Sequence, residues 1–173
     1  TCALPICTYN IDGTNFCDFV GSGHFGVDSA GKYVEEGAVN RLPCVDGTFN
    51  TDGYLECDDV DDGKMGSIDG TSHTSSGATQ QIPCPIATYS ANGGTGDCTP
   101  CGNGFTTLST GQSGANSKEA CTCVLGYGRN ADNNCEECGK GTYSVLNSGS
   151  TDYECKDCAA GKWSNASGAV GKG

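Results

Sequence analysis

The chain has 173 residues, among them 14 Cys and 28 Gly, and a net charge of −12 from 21 acidic and 9 basic side chains. Its apolar share of 35%, against a usual ~45–50%, excludes one large core. The acidity excludes the clustered Lys and Arg that nucleic acid or an anionic membrane surface requires. No stretch approaches the ~20 apolar residues that span a bilayer, so direct membrane insertion is not expected.

The even Cys count lets every thiol pair, and such bridges persist in oxidising compartments, so an extracellular or cell-surface protein is expected. The chain starts at Thr1, which reads as a processed chain whose signal peptide has gone. Residues 1–57 form an N-terminal Cys-loop and strand region, with Cys7–Cys17 and Cys44–Cys57 as closed loops. Residues 18–43 lack Cys. There Phe19-Val20, Phe25-Gly26-Val27, Tyr33-Val34 and Val39 alternate with Gly turns and predict strands. Residues 58–83 run acidic, then Ser/Thr/Gly-rich, and read as a linker. Residues 84–173 are the cysteine-rich repeat region, where Asn116–Ala120 predicts one helical turn.

One plan recurs after Cys44, Cys84, Cys138 and Cys158. A small residue lies three positions on (Gly47, Ala87, Gly141, Gly161), and an aromatic five positions on (Phe49, Tyr89, Tyr143, Trp163). Cys101-Gly-Asn-Gly-Phe105 is the same plan shortened by one. The small residue lets the chain turn beside a bridge, and the aromatic starts a short extended segment. The expected fold is small, disulfide-rich and mostly β. It is a tandem of cysteine-stapled two-stranded ribbons with much loop, little helix and an extended overall shape.

From Cys84 onward, close Cys pairs alternate with long gaps. The simplest scheme lets the first Cys of each pair close the loop behind it and the second open the loop ahead. That gives Cys84–Cys98, Cys101–Cys121, Cys123–Cys135 and Cys138–Cys155. This half, through Cys98-Thr-Pro-Cys101-Gly-Asn-Gly-Phe105, Cys121-Thr-Cys123-Val-Leu-Gly-Tyr127, Cys135-Glu-Glu-Cys138-Gly-Lys-Gly-Thr-Tyr143 and Cys155-Lys-Asp-Cys158, resembles the ephrin-receptor-like cysteine-rich repeat, a relative of EGF-like modules. The resemblance implies an extracellular module without a fixed function. The run from Cys158 to Gly168 is most similar to surface or filament glycoproteins of single-celled eukaryotes, flagellar-hair proteins included.

Catalysis finds little material. His24 and His73 sit in Gly/Ser-rich contexts and read as exposed loop histidines, and hydrolase and phosphate-binding motifs are missing. The chain is therefore read as a non-enzyme without cofactors. Zinc is the rival for the paired cysteines, with Cys98/Cys101 and Cys121/Cys123, or Cys135/Cys138 and Cys155/Cys158, as thiolate sets. The acidic composition and the repeated Gly-aromatic plan favour disulfides. Asp58, Asp61 and Asp62 are weak calcium candidates in an acidic run that misses the EF-hand register. Asn165-Ala-Ser167 is an N-glycosylation sequon, and Thr71, Ser72, Thr74, Ser75, Ser76 and Thr79 form a candidate O-glycan tract.

Local pairing leaves Cys2 and Cys158 without partners. They admit three readings: a closing Cys beyond Gly173, a bridge within one molecule, or a head-to-tail bridge between subunits that makes rings or filaments. The expected function is a structural extracellular glycoprotein that self-associates into a homopolymer, a filament, appendage or coat. A protein- or carbohydrate-binding ectodomain module is the alternative.

Overall fold

The computed structural model describes residues 19–91, 93–107 and 114–171. The expectations on Cys2, Cys7 and Cys17 lie outside these residues.

Fourteen short strands pair, each with its sequence neighbour, into seven antiparallel ribbons. They are β1 (His24–Val27) with β2 (Asn40–Pro43), β3 (Thr48–Phe49) with β4 (Asp58–Asp59), and β5 (Lys64–Ser67) with β6 (Gln80–Pro83). Next come β7 (Thr88–Tyr89) with β8 (Thr99–Pro100) and β9 (Phe105–Thr107) with β10 (Cys121–Cys123). The last are β11 (Tyr127–Arg129) with β12 (Cys135–Glu137) and β13 (Thr142–Leu146) with β14 (Tyr153–Asp157). One 3-10 turn, Lys118–Ala120, falls inside the expected helical stretch. The small, mostly β, disulfide-stapled fold is as the sequence predicts.

A period of forty residues organises the first half. Val20, Gly23, Gly37-Ala38, Pro43-Cys44 and Thr48-Phe49-Asn50 recur as Val60, Gly63, Gly77-Ala78, Pro83-Cys84 and Thr88-Tyr89-Ser90. The strands follow: β1 to β3 are offset by forty from β5 to β7. Backbone bonds repeat as well. Val34 N–H donates to Gly26 and Val39 N–H to Val27, as Thr74 does to Gly66 and Thr79 to Ser67.

This period corrects the reading of 58–83 as a linker. The segment is the hairpin of the second repeat, equivalent to 18–43, and it carries β4, β5 and β6. Its small residues reflect close packing. A Cβ added at Gly66 would stand 3.0 Å from the Ala78 Cβ, and Met65, Gly66, Ser67 and Ala78 are all buried. Thr and Ser in the candidate O-glycan tract are held rather than loose. Asp69 accepts the Thr71 N–H at 2.8 Å and the Ser72 N–H at 2.9 Å, and Thr74 Oγ1 donates to the Ser76 carbonyl at 2.8 Å.

Apolar burial is thin and local. Val20 and Ala38 pack with Val34 in the first repeat, and Val60, Met65 and Ala78 are buried in the second. Elsewhere the cystines supply the interior, with Cys44, Cys121, Cys123 and Cys138 fully buried. The small residue three after each Cys takes a left-handed turn: φ is 82° at Gly47, 65° at Ala87, 82° at Gly141 and 80° at Gly161. Such a turn is costly for anything larger.

Candidate functional site

Disulfides join Cys44–Cys57, Cys84–Cys98, Cys101–Cys121, Cys123–Cys135 and Cys138–Cys155. These thiols are therefore not available as zinc ligands. Among the described residues Cys158 alone is unbridged. Cys123, Cys135 and Asp152 do bring ligand atoms close together. Two of those atoms are the sulfurs of one bridge, and Asp152 is held by Arg129.

The segments that follow the repeat cysteines are joined to neighbouring units by backbone hydrogen bonds, on both sides at Cys44–Asn50 and Cys84–Ser90. Upstream, the Gly23 N–H donates to the Asn50 carbonyl at 2.7 Å and the Gly23 carbonyl accepts the Cys44 N–H at 2.8 Å. Gly63 does the same with Ser90 and Cys84, at 2.8 and 2.9 Å, and Gly141 with Ser164 and Cys158, at 2.9 Å each. Downstream, a Gly-Ala turn closes over the strand. Asn50 N–H donates to the Ala78 carbonyl at 3.0 Å, Ser90 to Ala115 at 2.9 Å and Ser144 to Ala169 at 2.8 Å. Gly77 N–H donates to the Cys44 carbonyl at 2.8 Å and Gly168 to Cys138 at 2.7 Å. These turns all read Ser-Gly-Ala, at 76–78, 113–115 and 167–169. An alignment on cysteine alone passes over them; a search for the recurring tripeptide would find them.

The segment Cys158–Ser164 has the upstream junction, and no downstream one is seen among the described residues. Asn50, Ser90 and Ser144 are buried, whereas Ser164 is half-buried. Phe49, Tyr89 and Tyr143 are half-buried, whereas Trp163 is 77% exposed. Beside this segment lies an open groove of about 650 Å³, lined by Tyr143, Cys158, Lys162, Trp163 and Val170. Asn165, the sequon asparagine, is exposed at its rim.

Two polar pins tie units together. His73 was expected as an exposed loop histidine; its side chain is in fact only 11% exposed. Its Nε2 lies 2.9 Å from Asp46 Oδ1 and its Nδ1 3.5 Å from Asp97. Asp46 also accepts the Gly96 N–H at 3.0 Å. Burial works to raise the Asp46 carboxyl, but hydrogen bonds from His73, Gly96 and Gly47 hold it below the usual carboxylate value. The second pin is Arg129. Its Nε donates to Asp152, its Nη2 to the Cys121 carbonyl at 2.7 Å, and its guanidinium lies 5.4 Å from the Phe105 ring centre. Asp152 in turn accepts the Cys123 N–H at 2.7 Å. His24 makes only a local contact, 3.1 Å from the Ser22 carbonyl.

The calcium candidates do not converge. Asp58 is exposed on β4, Asp61 pairs with Lys64 at 2.7 Å and accepts from Gln81, and Asp62 accepts the Gly93 N–H.

Residues 70–121 match the family described as tyrosine-protein kinase ephrin type A/B receptor-like. The match opens inside the segment expected as a linker and runs from the turn 76–78 past the turn 113–115 to Cys121. No curated protein matches the chain.

Proposed function

We propose that this cysteine-rich ephrin-receptor-like repeat protein is an extracellular structural glycoprotein, a subunit of a polymeric filament, appendage or coat. The repeat type is a non-catalytic module of receptor ectodomains, and the many disulfides point to an extracellular or secreted protein. No helix among the described residues is long and apolar enough to cross a membrane.

The observation that carries the structural reading is the serial junction. The Gly-Ala turns at 77–78, 114–115 and 168–169 each dock on the cysteine segment of an earlier unit, at Asn50, Ser90 and Ser144, through equivalent contacts. Serial stacking through equivalent contacts suits addition of further units. In this reading Cys158 and Cys2 are candidates for an intersubunit bridge, and Asn165 is the candidate glycan site. Electron microscopy of purified protein, with electrophoresis before and after reduction, tests it. Fibres and reducible ladders are expected; discrete monomers would instead favour a receptor-type binding module, the reading that the family match supports.

A further inference from the structure

Two successive disulfide loops, Cys44–Cys57 and Cys84–Cys98, meet around one imidazole. His73 reaches them from the segment that joins β5 to β6. Its Nε2 lies 2.9 Å from Asp46 Oδ1 in the first loop, and its Nδ1 lies 3.5 Å from Asp97 Oδ1 in the second. The backbones are close as well. Asp46 Oδ2 accepts the Gly96 N–H at 3.0 Å, and a Cβ added at Gly47 would stand 2.7 Å from the Thr95 hydroxyl. Further along the same stretch the Gly93 N–H donates to Asp62 Oδ1 at 3.0 Å.

A ring with a carboxylate at each nitrogen is only half satisfied when neutral. Neutral imidazole carries one N–H, so one carboxylate receives a donor and the other faces a lone pair. The shorter contact, Nε2 to Asp46, takes that single proton. A second ring proton turns both contacts into charge-assisted hydrogen bonds. It also takes the cluster from two negative charges to one, in a chain whose net charge is −12. The neighbouring carboxylates are engaged elsewhere. Asp69, in the same segment as His73, accepts the Thr71 and Ser72 N–H groups, and Asp62 holds Gly93. Among the described residues the ion pairs of His73 are with Asp46 and Asp97. Because these two sit at different ring nitrogens, the cluster suits a proton on each nitrogen rather than one shared metal ion.

We propose that His73 is a proton-operated clasp between the two disulfide loops: the imidazolium holds Asp46 and Asp97 at once, whereas the neutral ring holds Asp46 alone. The proton comes from solvent and adds to the free lone pair of Nδ1. Mild acid therefore tightens this joint. The tightening is present on the acid side of the imidazole range and is lost as pH rises through it. It is lost again in stronger acid, where the carboxylates themselves take up protons.

The test follows the Gly96 amide, which Asp46 holds, by hydrogen exchange in the full-length protein, corrected for the intrinsic pH dependence of exchange. Between about pH 8 and about pH 5.5 its protection should rise roughly threefold, the scale of a part-exposed ion pair. The amides of β13, which the clasp does not touch, should not follow. The Asp97 side chain is 86% exposed, so Asp97→Asn should fold as the parent does. It should keep the protection seen near neutral pH and lose the rise. His73→Gln should lose the rise and part of the protection; if that variant does not fold, Asp97→Asn decides alone. His24→Gln, at the other of the chain's two histidines, should keep both. A flat profile in the parent overturns the clasp. So does a rise that survives Asp97→Asn or His73→Gln, or one that His24→Gln abolishes.

Discussion

Residues 20–99 and residues 101–158 are built from the same ribbons with different means of holding them. The first stretch has one bridge per forty-residue repeat, Cys44–Cys57 and Cys84–Cys98. Its four-residue hairpins bury Val27 in one repeat and Met65 and Ser67 in the next. The second stretch carries three bridges in a shorter span, and its buried positions are largely the cystines themselves. Where a hairpin is long enough to hide small apolar side chains, one staple suffices. Where the spacing between bridges tightens, sulfur and an arginine pin replace the apolar layer.

The largest effect should come from removing a bridge where bridges are the interior. The double substitution of Cys138 and Cys155 by Ser opens a loop with a separation of 17 residues. It should cost about 3 kcal/mol in the chain-entropy model. Hydrogen exchange should show β13, β14 and the Ser144–Ala169 junction opening while residues 20–99 stay protected. The same treatment of Cys44 and Cys57 should leave the β1–β2 hairpin protected. Equal, global loss of protection in both variants would erase the contrast between the regions.

A smaller effect is expected at the junction between the stretches. Gly114 has φ 58°, and any side chain added there would run into the Gly63 carbonyl. Gly114→Val should cost at least about 2 kcal/mol from backbone strain and the clash. It should release the Ser90 amide to exchange before those of β1 and β2.

The cysteine-dense half was legible because each bridge leaves a mark in the spacing of a single residue type. The repeat at 20–99 was less so, since its period is carried by Gly, Ala, Pro and Val, which composition reads as punctuation or linker. Gly66, Ser67 and Ala78 look like flexible-chain residues, yet they are small because two backbones pack within van der Waals distance. His73 was misread for a related reason. Its partners Asp46 and Asp97 lie 27 and 24 positions away, and nothing local announces a contact made by stacking. The Cys158 end was legible as a leftover cysteine, while the junctions at Asn50, Ser90 and Ser144 show only in the backbone hydrogen bonds.

Arg129 lets the contrast be sharpened without touching a cysteine. Arg129→Met keeps most of the volume but removes the guanidinium that donates to Asp152 and to the Cys121 carbonyl. With the Arg129 and Asp152 side chains only partly buried, a cost of about 2 kcal/mol is expected. Exchange at the Cys123 amide, which Asp152 also holds, should rise first. The repeats at 20–99 should not respond; a response there would mean that the two stretches unfold as one unit.

The smallest effect tests the polar pin of the first stretch. Asp46 is held below the usual carboxylate value by its hydrogen bonds, against the opposing effect of burial. A carboxyl lowered in the folded state contributes stability that is present above the unfolded-chain pKa and is lost as pH falls through the folded one. Asp46→Asn should therefore melt below the parent at neutral pH, by under about 1 kcal/mol because the pair is part-exposed. The gap should close as pH falls through the acid carboxylate range. Cystines do not titrate, so the bridges of the second stretch contribute no such slope. If the parent's Tm in acid falls with the same slope after Asp46→Asn, the pin between the first two repeats carries none of their stability.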